Sequence, residues 1–264
     1  MEEKILLFIP MYNCEKQITR VLGRLDDEVM RYVSKVIVVN NRSTDNSEQV
    51  VREYLTQHRE LPAVLVRNTE NYGLGGSHKV AFGYAIDNGY DYVIVLHGDD
   101  QSNIHDMLPV LRAGTYREHD CSMGARFVKG SKFIGYSKFK RFGNYVYGLL
   151  FAVALGRKVP ELGSNLKIYK TSMLKSRYYH KFCDDMTFDY CMTLASGCLK
   201  QDYMYFPFTL RVEDQVSNVK LISQAIQVLK LLARYIAGPK KFITSELRAA
   251  EREAYTFDVI YENA

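Results

Sequence analysis

Tyr92-Val-Ile-Val-Leu-His-Gly-Asp-Asp-Gln101 is the stretch of sequence that decides the fold. Its first half, Tyr92 to Leu96, is a short apolar run of the kind that forms a buried strand. Its second half is polar and contains two adjacent acids, Asp99 and Asp100. Ligands of a parallel α/β sheet bind beyond the carboxyl ends of the strands, where such a polar segment lies. The stretch therefore predicts a buried strand that leads into a binding site.

Three earlier apolar runs repeat this pattern of a strand followed by a polar segment. They predict strands over 4–9, 35–39 and 63–67. Between them, the helical spacing of apolar residues and the capping residues predict helices over 15–33, 46–58 and 77–88. The alternation of strand and helix predicts an α/β fold with a mostly parallel central sheet and helices on both faces. The polar segments then lie at one edge of the sheet and converge on one site.

The second half of the chain is different in character. It is rich in aromatic and basic residues over 126–147 and contains an apolar stretch, Tyr145–Leu155. That stretch is about half of the roughly 20 residues needed to span a bilayer, so it predicts a buried helix or a helix at a membrane surface. A strongly amphipathic helix is predicted over 219–236 and a charged helix over 244–254.

The composition bounds the class of protein. The chain has 264 residues, of which 47% are hydrophobic and 25% are charged, and this suits one large globular domain. A formal charge of +5 is mildly basic and suits an acidic partner, either a phosphate-bearing substrate or an anionic lipid; we expect no nucleic-acid partner. Five cysteines without a C-x-x-C pair, and no signal peptide, predict reduced thiols in a cytoplasmic protein.

Four polar segments follow the predicted strands in register, and their order is informative. They are Ile9-Pro-Met-Tyr-Asn13, Val39-Asn-Asn-Arg-Ser-Thr-Asp45, Asn71-Tyr-Gly-Leu-Gly-Gly76 and His97-Gly-Asp-Asp-Gln101. With them, the sequence resembles the family 2 glycosyltransferases, and within these the dolichol-phosphate or polyprenyl-phosphate mannose synthase branch. The resemblance covers about residues 4–236. It implies a GT-A fold and an inverting transfer from a nucleoside-diphosphate sugar.

The resemblance implies a nucleotide-sugar site at the ends of the strands. The implied residues are Pro10, Tyr12, Asn13, Asn40, Asn41, Asn71, Gly75, Asp99 and Arg126. Asn40 and Asn41 stand where the family has two aspartates, which leaves the choice of base open because an amide both donates and accepts hydrogen bonds. Gly73 and Gly75 are expected to let the backbone approach the nucleotide. A dinucleotide-binding fingerprint is disfavoured because His78 replaces its third glycine.

A divalent cation, Mn²⁺ or Mg²⁺, is implied next to the diphosphate. Such hard cations take oxygen ligands, and the implied set is Asp99 with Gln101 and His97. His97 stands where the family has the first aspartate of its D-x-D motif, and imidazole suits Mn²⁺ better than Mg²⁺. A second interpretation is equally open, in which His97 hydrogen-bonds the diphosphate or a neighbouring backbone group.

The chemistry of the acceptor decides which residues act on it. A hydroxyl acceptor needs a general base. With Asp99, the candidate catalytic residues are Asp185, then Asp184 and Asp189, although capping of a helix N-terminus explains these last three equally well. A lipid phosphate is already ionised and needs cations instead. The sequence offers Arg126 and Arg141 as such cations, and Arg211 with Ser217 and Lys220 resembles the phosphate-binding set of the branch. We favour a lipid phosphate over a saccharide hydroxyl in polysaccharide synthesis.

These assignments give a domain organisation and a location. A single GT-A catalytic domain is expected over 1–240, with a nucleotide-sugar-binding half over 1–122 and an acceptor-binding half over 123–240. A charged helical tail is expected over 241–264, and with the amphipathic helix it offers a surface for a second copy. We expect a peripheral enzyme at the inner, cytosolic face of the cell membrane.

Two other classes of protein compete with this interpretation. Nucleotidyl transferases share a similar sheet, but their first strand ends in a G-x-G-T-R loop, and Pro10-Met-Tyr-Asn13 stands here instead. A glycosyltransferase-like binding protein without turnover stays open because of the replacements at Asn40, Asn41 and His97.

Overall fold

The computed structural model describes residues 3–212 and 221–263, and a large β-sheet forms its centre. The strands in chain order are β1 (Ile5–Met11), β2 (Lys35–Asn40), β3 (Ala63–Asn68), β4 (Tyr92–Leu96), β5 (Cys121–Ala125), β6 (Lys132–Ile134), β7 (Leu166–Lys170), β8 (Tyr203–Pro207), β9 (Thr209–Arg211) and β10 (Phe257–Glu262). Eight of them form the central sheet in the order β10-β3-β2-β1-β4-β7-β5-β8. Strands β6 and β9 pair in a separate ribbon.

The central sheet is mostly parallel, as the sequence predicts. Strands β3, β2, β1 and β4 run parallel to one another, and β5 is parallel to β8. Strand β7 runs antiparallel between β4 and β5, and β10 runs antiparallel along β3. The four strands predicted in the first half are confirmed, and their carboxyl ends lie at one edge of the sheet.

Helices cover both faces of the sheet. They are α1 (Ile18–Leu22), α2 (Asp27–Met30), α3 (Ser47–Gln57), α4 (Gly73–Asp87), α5 (Leu108–Ala113), α6 (Lys138–Leu155), α7 (Thr171–Leu174), α8 (Phe188–Cys198), α9 (Leu221–Ala237) and α10 (Pro239–Thr244). Side chains of β1 alternate between two cores because successive residues of a strand point to opposite faces. Leu6 and Phe8 pack with α4, α8 and α9, whereas Leu7 and Ile9 pack with α1, α2, α3 and α5.

Two helices of the first half differ from the prediction. The helix predicted over 15–33 is wrong in its continuity, because α1 ends at Gly23 and α2 starts separately. The side chain of Asp26 accepts a hydrogen bond from the Val29 amide at 3.0 Å, and this N-cap begins the second helix. The helix predicted over 77–88 begins earlier, at Gly73, so the glycine-rich segment forms its first turn.

The tail expected as a charged helix is wrong in its secondary structure. Helix α10 ends at Thr244, and residues 257–262 form β10, an edge strand of the central sheet. The charged residues 244–254 offer no apolar stripe that a helix needs for packing, whereas β10 contains four β-branched or aromatic residues, Phe257, Val259, Ile260 and Tyr261. The Asn263 side chain then donates to the carbonyl oxygens of Leu55, His58 and Leu61 at 3.0–3.1 Å. The tail is therefore built into the sheet.

The two long helices of the second half carry apolar residues on more than one side. The helix predicted over 219–236 is confirmed as α9 from Leu221, and 219–220 lie outside the described residues. Its buried side chains are Val228, Leu231, Leu232 and Tyr235. Other apolar residues of the helix, including Ile226, Leu229 and Ile236, are exposed. Within the described ranges, no helix combines the length and the apolarity that crossing a bilayer requires.

Candidate functional site

The polar segments after β1, β2, β3 and β4 meet at one edge of the sheet, as the sequence predicts. We call residues 10–13, 40–45, 71–75 and 97–101 the polar edge. Asn13 Oδ1 accepts a hydrogen bond from the Thr44 amide at 2.8 Å, which joins the first segment to the second. The Gly98 amide donates to the Pro10 carbonyl oxygen at 3.1 Å, which joins the fourth segment to the first. Tyr12 is half exposed at the rim.

Asn40 shapes the loop after β2. Its side chain is buried, and its Oδ1 atom accepts a hydrogen bond from the Ser43 amide at 2.8 Å. Its Nδ2 atom donates to Glu48 at 2.7 Å, and Glu48 also pairs with Arg67 at 3.2 Å. An aspartate at position 40 would face the Glu48 carboxylate with a like charge, so the amide and Glu48 suit each other. This role of Glu48 is not predictable from the sequence.

Asn41 joins the second segment to the third. Its Oδ1 atom accepts hydrogen bonds from Asn68 Nδ2 at 2.9 Å and from the Tyr72 amide at 2.8 Å. Its Nδ2 atom donates to Asn71 Oδ1 at 2.8 Å, and the same oxygen accepts from the Gly73 amide at 3.1 Å. Asn41 and Asn71 thus fix the start of α4 against β2.

The two acids after β4 have different partners. Asp100, at a left-handed φ of 60°, pairs with Arg20 and Arg24 of the α1 region. Asp99 Oδ1 accepts a hydrogen bond from the Gln101 amide at 3.2 Å. The Gln101 side-chain oxygen accepts from Asn165 Nδ2 at 2.9 Å. Asp100 therefore holds the loop to α1, and Asp99 is the acid that belongs to the polar edge.

His97 lies where the polar edge meets the core. Its Nε2 atom is buried and has no hydrogen-bond partner among the described residues. Burial, and secondly the charge of Lys167, lower the pKa of His97 to about 3. The imidazole is therefore neutral at physiological pH, which is the form that binds a metal or accepts a hydrogen bond.

The donor set at the polar edge fits a cation that is shared with a diphosphate. Among the described residues, no group of three or more His, Cys, Asp or Glu side chains is arranged to hold a metal by itself. Mg²⁺ and similar cations, however, commonly use one or two carboxylates and complete their shell with phosphate oxygens and water. Asp99 supplies one carboxylate, and the partnerless Nε2 atom of His97, when the ring proton is on Nδ1, would offer a further lone pair directly after the same strand.

Three aspartates after residue 183 have unequal surroundings. Asp184 accepts hydrogen bonds from Lys79 at 2.6 Å, from Tyr255 at 2.6 Å and from Arg252 at 2.8 Å. Asp189 forms a buried ion pair with Lys167 of β7. Because each carboxylate has a cation partner in a largely buried place, both are accounted for by folding.

Asp185 differs from both neighbours because it is exposed and bonded to neutral donors. Its Oδ1 atom accepts hydrogen bonds from the amide and hydroxyl of Thr187 at 2.8 and 2.5 Å. Its Oδ2 atom accepts from Gln227 Nε2 of α9 at 2.6 Å. The carboxylate therefore fixes the turn that leads into α8, which is the capping role expected as an alternative, and it also faces solvent.

The glycines of the third segment lie against the backbone of residues 183–185. A Cβ atom on Gly75 would lie 2.5 Å from the Cys183 carbonyl oxygen, and one on Gly73 would lie 2.5 Å from that of Asp184. The Gly75 amide donates to the Asp184 carbonyl oxygen at 2.7 Å. These glycines therefore permit the close approach of residues 183–185, and their expected role beside the nucleotide stays a prediction.

Arg126 is tied to the loop before β7. Its guanidinium donates to the Glu161 carboxylate, with Nε 2.6 Å from Oε2, and to the Gly163 carbonyl oxygen at 3.3 Å. Burial disfavours the charge, but the Glu161 carboxylate outweighs this and raises the pKa of Arg126. Glu161 is buried and directly precedes the Leu162-Gly-Ser164 turn, and an acid beside a Gly-Ser turn is the signal that could have identified it.

A pocket of about 540 Å³ opens between residues 126–133, which follow β5, and the first half of α6. We call it the basic pocket; its walls are formed by Arg126, Phe127, Val128, Ser131, Phe133, Lys138, Arg141, Phe142 and Tyr145. The Arg141 guanidinium lies 4.4 Å from the centre of the Phe133 ring, and Phe127 meets Tyr145 edge to face at 5.8 Å. Of the other predicted phosphate-binding residues, Arg211 lies in β9 with its amide on the Gln101 carbonyl oxygen at 2.9 Å. Ser217 and Lys220 lie outside the described residues.

Comparison with known proteins agrees with the motifs. The profile described as "Glycosyl transferase family 2" matches residues 7–182. An undecaprenyl-phosphate mannosyltransferase of Micrococcus luteus is 26% identical over 174 residues, which are 66% of this chain and 69% of that protein. A UDP-N-acetylglucosamine–dolichyl-phosphate N-acetylglucosaminyltransferase of Methanococcus voltae is 22% identical over 66% of this chain and 72% of that protein.

A solved structure shows the same fold. The mannosyltransferase PcManGT of Pyrobaculum calidifontis, in complex with GDP-Man and Mn²⁺, superposes with a TM-score of 0.60 at 17% identity. The match covers 88% of this chain and 64% of that one, so this chain spans just under two thirds of that protein. The fold is therefore GT-A, as predicted, and the chain belongs to glycosyl transferase family 2.

Proposed function

We propose that the chain transfers a sugar, with inversion, from a nucleoside-diphosphate sugar to a polyprenyl-phosphate-type lipid. The observation that carries the proposal is the basic pocket, where cations and aromatic rings lie side by side. A lipid phosphate needs cations for its head and apolar walls for the first units of its chain. The two relatives are named for undecaprenyl-phosphate and dolichyl-phosphate acceptors, which have this chemistry.

The loop 161–165 supports the proposal because it links the basic pocket to the polar edge. At one end, Glu161 and Gly163 bind Arg126 in the pocket wall. At the other end, Asn165 donates to Gln101, and its carbonyl oxygen accepts from the His97 amide at 3.0 Å. A donor held at the polar edge and an acceptor held in the pocket would thus be positioned by one short segment.

The transfer step forms one bond and breaks one. An oxygen of the acceptor phosphate forms a bond to the anomeric carbon from the face opposite the diphosphate, and the bond from that carbon to the diphosphate oxygen breaks. The acceptor is already ionised near neutral pH, so no protein base has to remove a proton. Lys138 and Arg141 would hold the acceptor phosphate by charge, and Asn13, Asn40, Asn41 and Asn71 would hold the shape of the donor site.

Asp99, with His97 as a further donor, would hold a divalent cation against the diphosphate. When bound, Mn²⁺ or Mg²⁺ supplies charge that stabilises the leaving diphosphate. The complex of PcManGT with GDP-Man and Mn²⁺ supports this assignment by analogy of fold. The base of the donor stays open in the proposal, because Asn40 and Asn41 are already bonded within the loop.

We place the reaction at the cytosolic face of a membrane, where the head of a polyprenyl phosphate is accessible to a peripheral enzyme. The arrangement of the basic pocket on α6, a helix with exposed apolar residues, supports this location.

A second candidate is transfer to a saccharide hydroxyl. The observation in its favour is Asp185, an exposed carboxylate at the start of α8 that is bonded to neutral donors. A hydroxyl acceptor needs such a base, and a phosphate acceptor does not.

The decisive experiment is transfer of radiolabelled sugar from a panel of UDP- and GDP-sugars, with Mn²⁺ or Mg²⁺, to undecaprenyl phosphate and to oligosaccharides. We expect an organic-extractable, acid-labile sugar–lipid product with one of the donors. The variant Arg141→Gln should lower its formation, whereas Arg52→Gln, on α3, should not. Product on oligosaccharides alone would favour the second candidate and overturn the first.

A further inference from the structure

Helix α6 presents apolar side chains to solvent along its whole length. Phe139 and Phe142 are 74% and 67% exposed, and Val153 is 77% exposed. Tyr145 and Leu149 continue the same row at helical spacing. Only Gly148 and Phe151 of this helix are fully buried in the described structure. Single exposed apolar residues are ordinary, but a continuous row on one helix marks a surface that a partner covers.

Helix α9 adds a second row. While Val228 and Leu232 pack into the core, Ile226, Leu229 and Ile236 face away from it. The spacing of the exposed residues is that of one helix face. The helix is therefore apolar on two sides, of which only one is used by the fold.

The two rows belong to one surface because α6 and α9 pack against each other and against α8. At Gly197 of α8 the three helices meet: a Cβ atom there would lie 2.3 Å from Leu155 of α6 and 2.8 Å from the Tyr235 hydroxyl of α9. We call the exposed apolar residues of both helices, with the cations around them, the α6–α9 surface.

The two helices that form this surface carry charge of one sign. Residues 138–158 and 221–244 contain nine lysines and arginines and not one aspartate or glutamate. In the whole chain the balance is 35 to 30, so the bias is local. Those with exposed side chains are Lys138, Arg141, Lys158, Lys230, Arg234, Lys240 and Lys241.

We infer that the α6–α9 surface docks on an anionic lipid bilayer, with its apolar row in the interfacial region and its cations on the lipid head groups. Helices that lie in a membrane interface combine an apolar face with lysines and arginines in this way. A second copy of the chain fits this surface less well, because a two-fold interface would bring the nine cations of one copy next to the same nine cations of the other, and they would repel. The basic pocket opens on α6, so a docked molecule would receive a lipid head from the bilayer. The inference rests on the membrane location given in the proposed function and deepens it by naming the surface that makes the contact.

The test is co-flotation of the full chain with phosphatidylcholine vesicles, with or without phosphatidylglycerol at about one third of the lipid. We expect binding to the anionic vesicles only. Raising the salt from about 0.1 M to about 1 M should weaken it, since screening shortens from about 10 Å to about 3 Å. The variant Leu149→Ser/Val153→Ser/Ile236→Ser should weaken partitioning by at least about tenfold. The matched control is Val259→Ser, 57% exposed on the edge strand β10, which should bind as the wild type does.

All substituted residues are exposed, so the melting temperature should stay unchanged and loss of binding would not reflect unfolding. Equal binding of the triple variant and the wild type, or no binding of the wild type to anionic vesicles, would overturn the inference. A wild-type dimer in light scattering that the triple variant converts to a monomer would assign the surface to a second copy, and would overturn it as well. A thermal-shift titration with nucleotide sugars tests the proposed function separately, so either can fail alone.

Discussion

The polar edge and the α6–α9 surface differ in how far their side chains are bonded to or packed against the rest of the protein. At the polar edge, Asn41 and Asn71 form hydrogen bonds with each other and with the backbone. These bonds fix the conformation of the loops before any ligand binds. On the α6–α9 surface, Phe139 and Val153 contact little protein, and only a partner would remove their side chains from water. The difference indicates two tasks: a preorganised site for a small polar ligand, and an open surface for an extended apolar one.

The largest expected effect separates Asp99 from its neighbour. Asp99→Asn keeps a hydrogen-bond acceptor for the Gln101 amide but removes the charge that would hold the cation. We expect turnover with Mn²⁺ to fall by about a thousandfold, since a metal contributes several kcal/mol to transition-state stabilisation. The matched variant Asp100→Asn loses its pairs with Arg20 and Arg24 instead, so it should lower the free energy of unfolding and keep the metal dependence. Metal-stimulated turnover in Asp99→Asn would contradict the assignment.

The next prediction tests how much the buried ion pair of Lys167 and Asp189 stabilises the fold that carries the polar edge. Lys167→Met leaves the Asp189 carboxylate buried without its cation, which costs about 3–5 kcal/mol of unfolding free energy. Urea unfolding measures this loss. Lys170→Met, three residues later on β7, is the control and should change stability by less than about 0.5 kcal/mol. A small effect at Lys167 would mean that Asp189 finds another partner, and would return it to the catalytic candidates.

A smaller effect concerns the acid sensitivity of the same core. His78 Nδ1 lies 2.9 Å from the Leu74 carbonyl oxygen, which only accepts, so this nitrogen carries the proton. Burial, and then the charge of Lys167, lower the pKa of His78 well below its ordinary value. As pH falls, the unfolded chain takes up a proton first, so stability is full above about pH 6.5 and declines below it, by up to about 1.4 kcal/mol per pH unit.

Urea unfolding between pH 7.5 and about 5 measures that slope. We expect His78→Gln to reduce it and not to abolish it, because His97, whose pKa is also lowered by burial, adds a slope of its own. Replacing the half-exposed His58 by Gln should leave the slope unchanged. An unchanged slope in His78→Gln would show that other groups set the acid sensitivity.

The comparison also shows what the sequence can and cannot predict. The strand ends were predictable because apolar runs alternate with polar segments, and topology alone brings those segments to one edge. The partners within the edge were not: the bonds of Asn40 to Glu48 and of Lys167 to Asp189 depend on packing between distant segments. The packing of Gly75 was not predictable for the same reason, because its neighbour in space, Cys183, is far away in sequence.

The second half was harder because helical periodicity does not say which face is buried. Helix α9 has two apolar faces. The face that contains Ile226, Leu229 and Ile236 is exposed, and the pattern of the sequence alone does not distinguish it from the buried face. The tail was mistaken for a helix because its charged residues have high helix propensity, whereas edge pairing with β3 decides its structure. In both places the outcome depends on tertiary contacts, which the local sequence pattern does not contain.

The smallest expected effect is the one that discriminates best between the acceptors. With a lipid phosphate, Asp185 has no proton to remove, so Asp185→Asn should change turnover by less than about threefold; with a hydroxyl acceptor, loss of the base should cost about a hundredfold or more. The amide can still accept from Thr187 through one oxygen, so the turn before α8 should persist. Thr187→Val, which removes only the hydroxyl, controls for loosening of that turn. Equal, small losses in both variants would leave the exposed carboxylate as a helix cap and keep the cations of the basic pocket as the acceptor site. A large loss confined to Asp185→Asn, together with a pH profile that loses its acidic limb, would instead make the polar edge and α8 one hydroxyl-activating site.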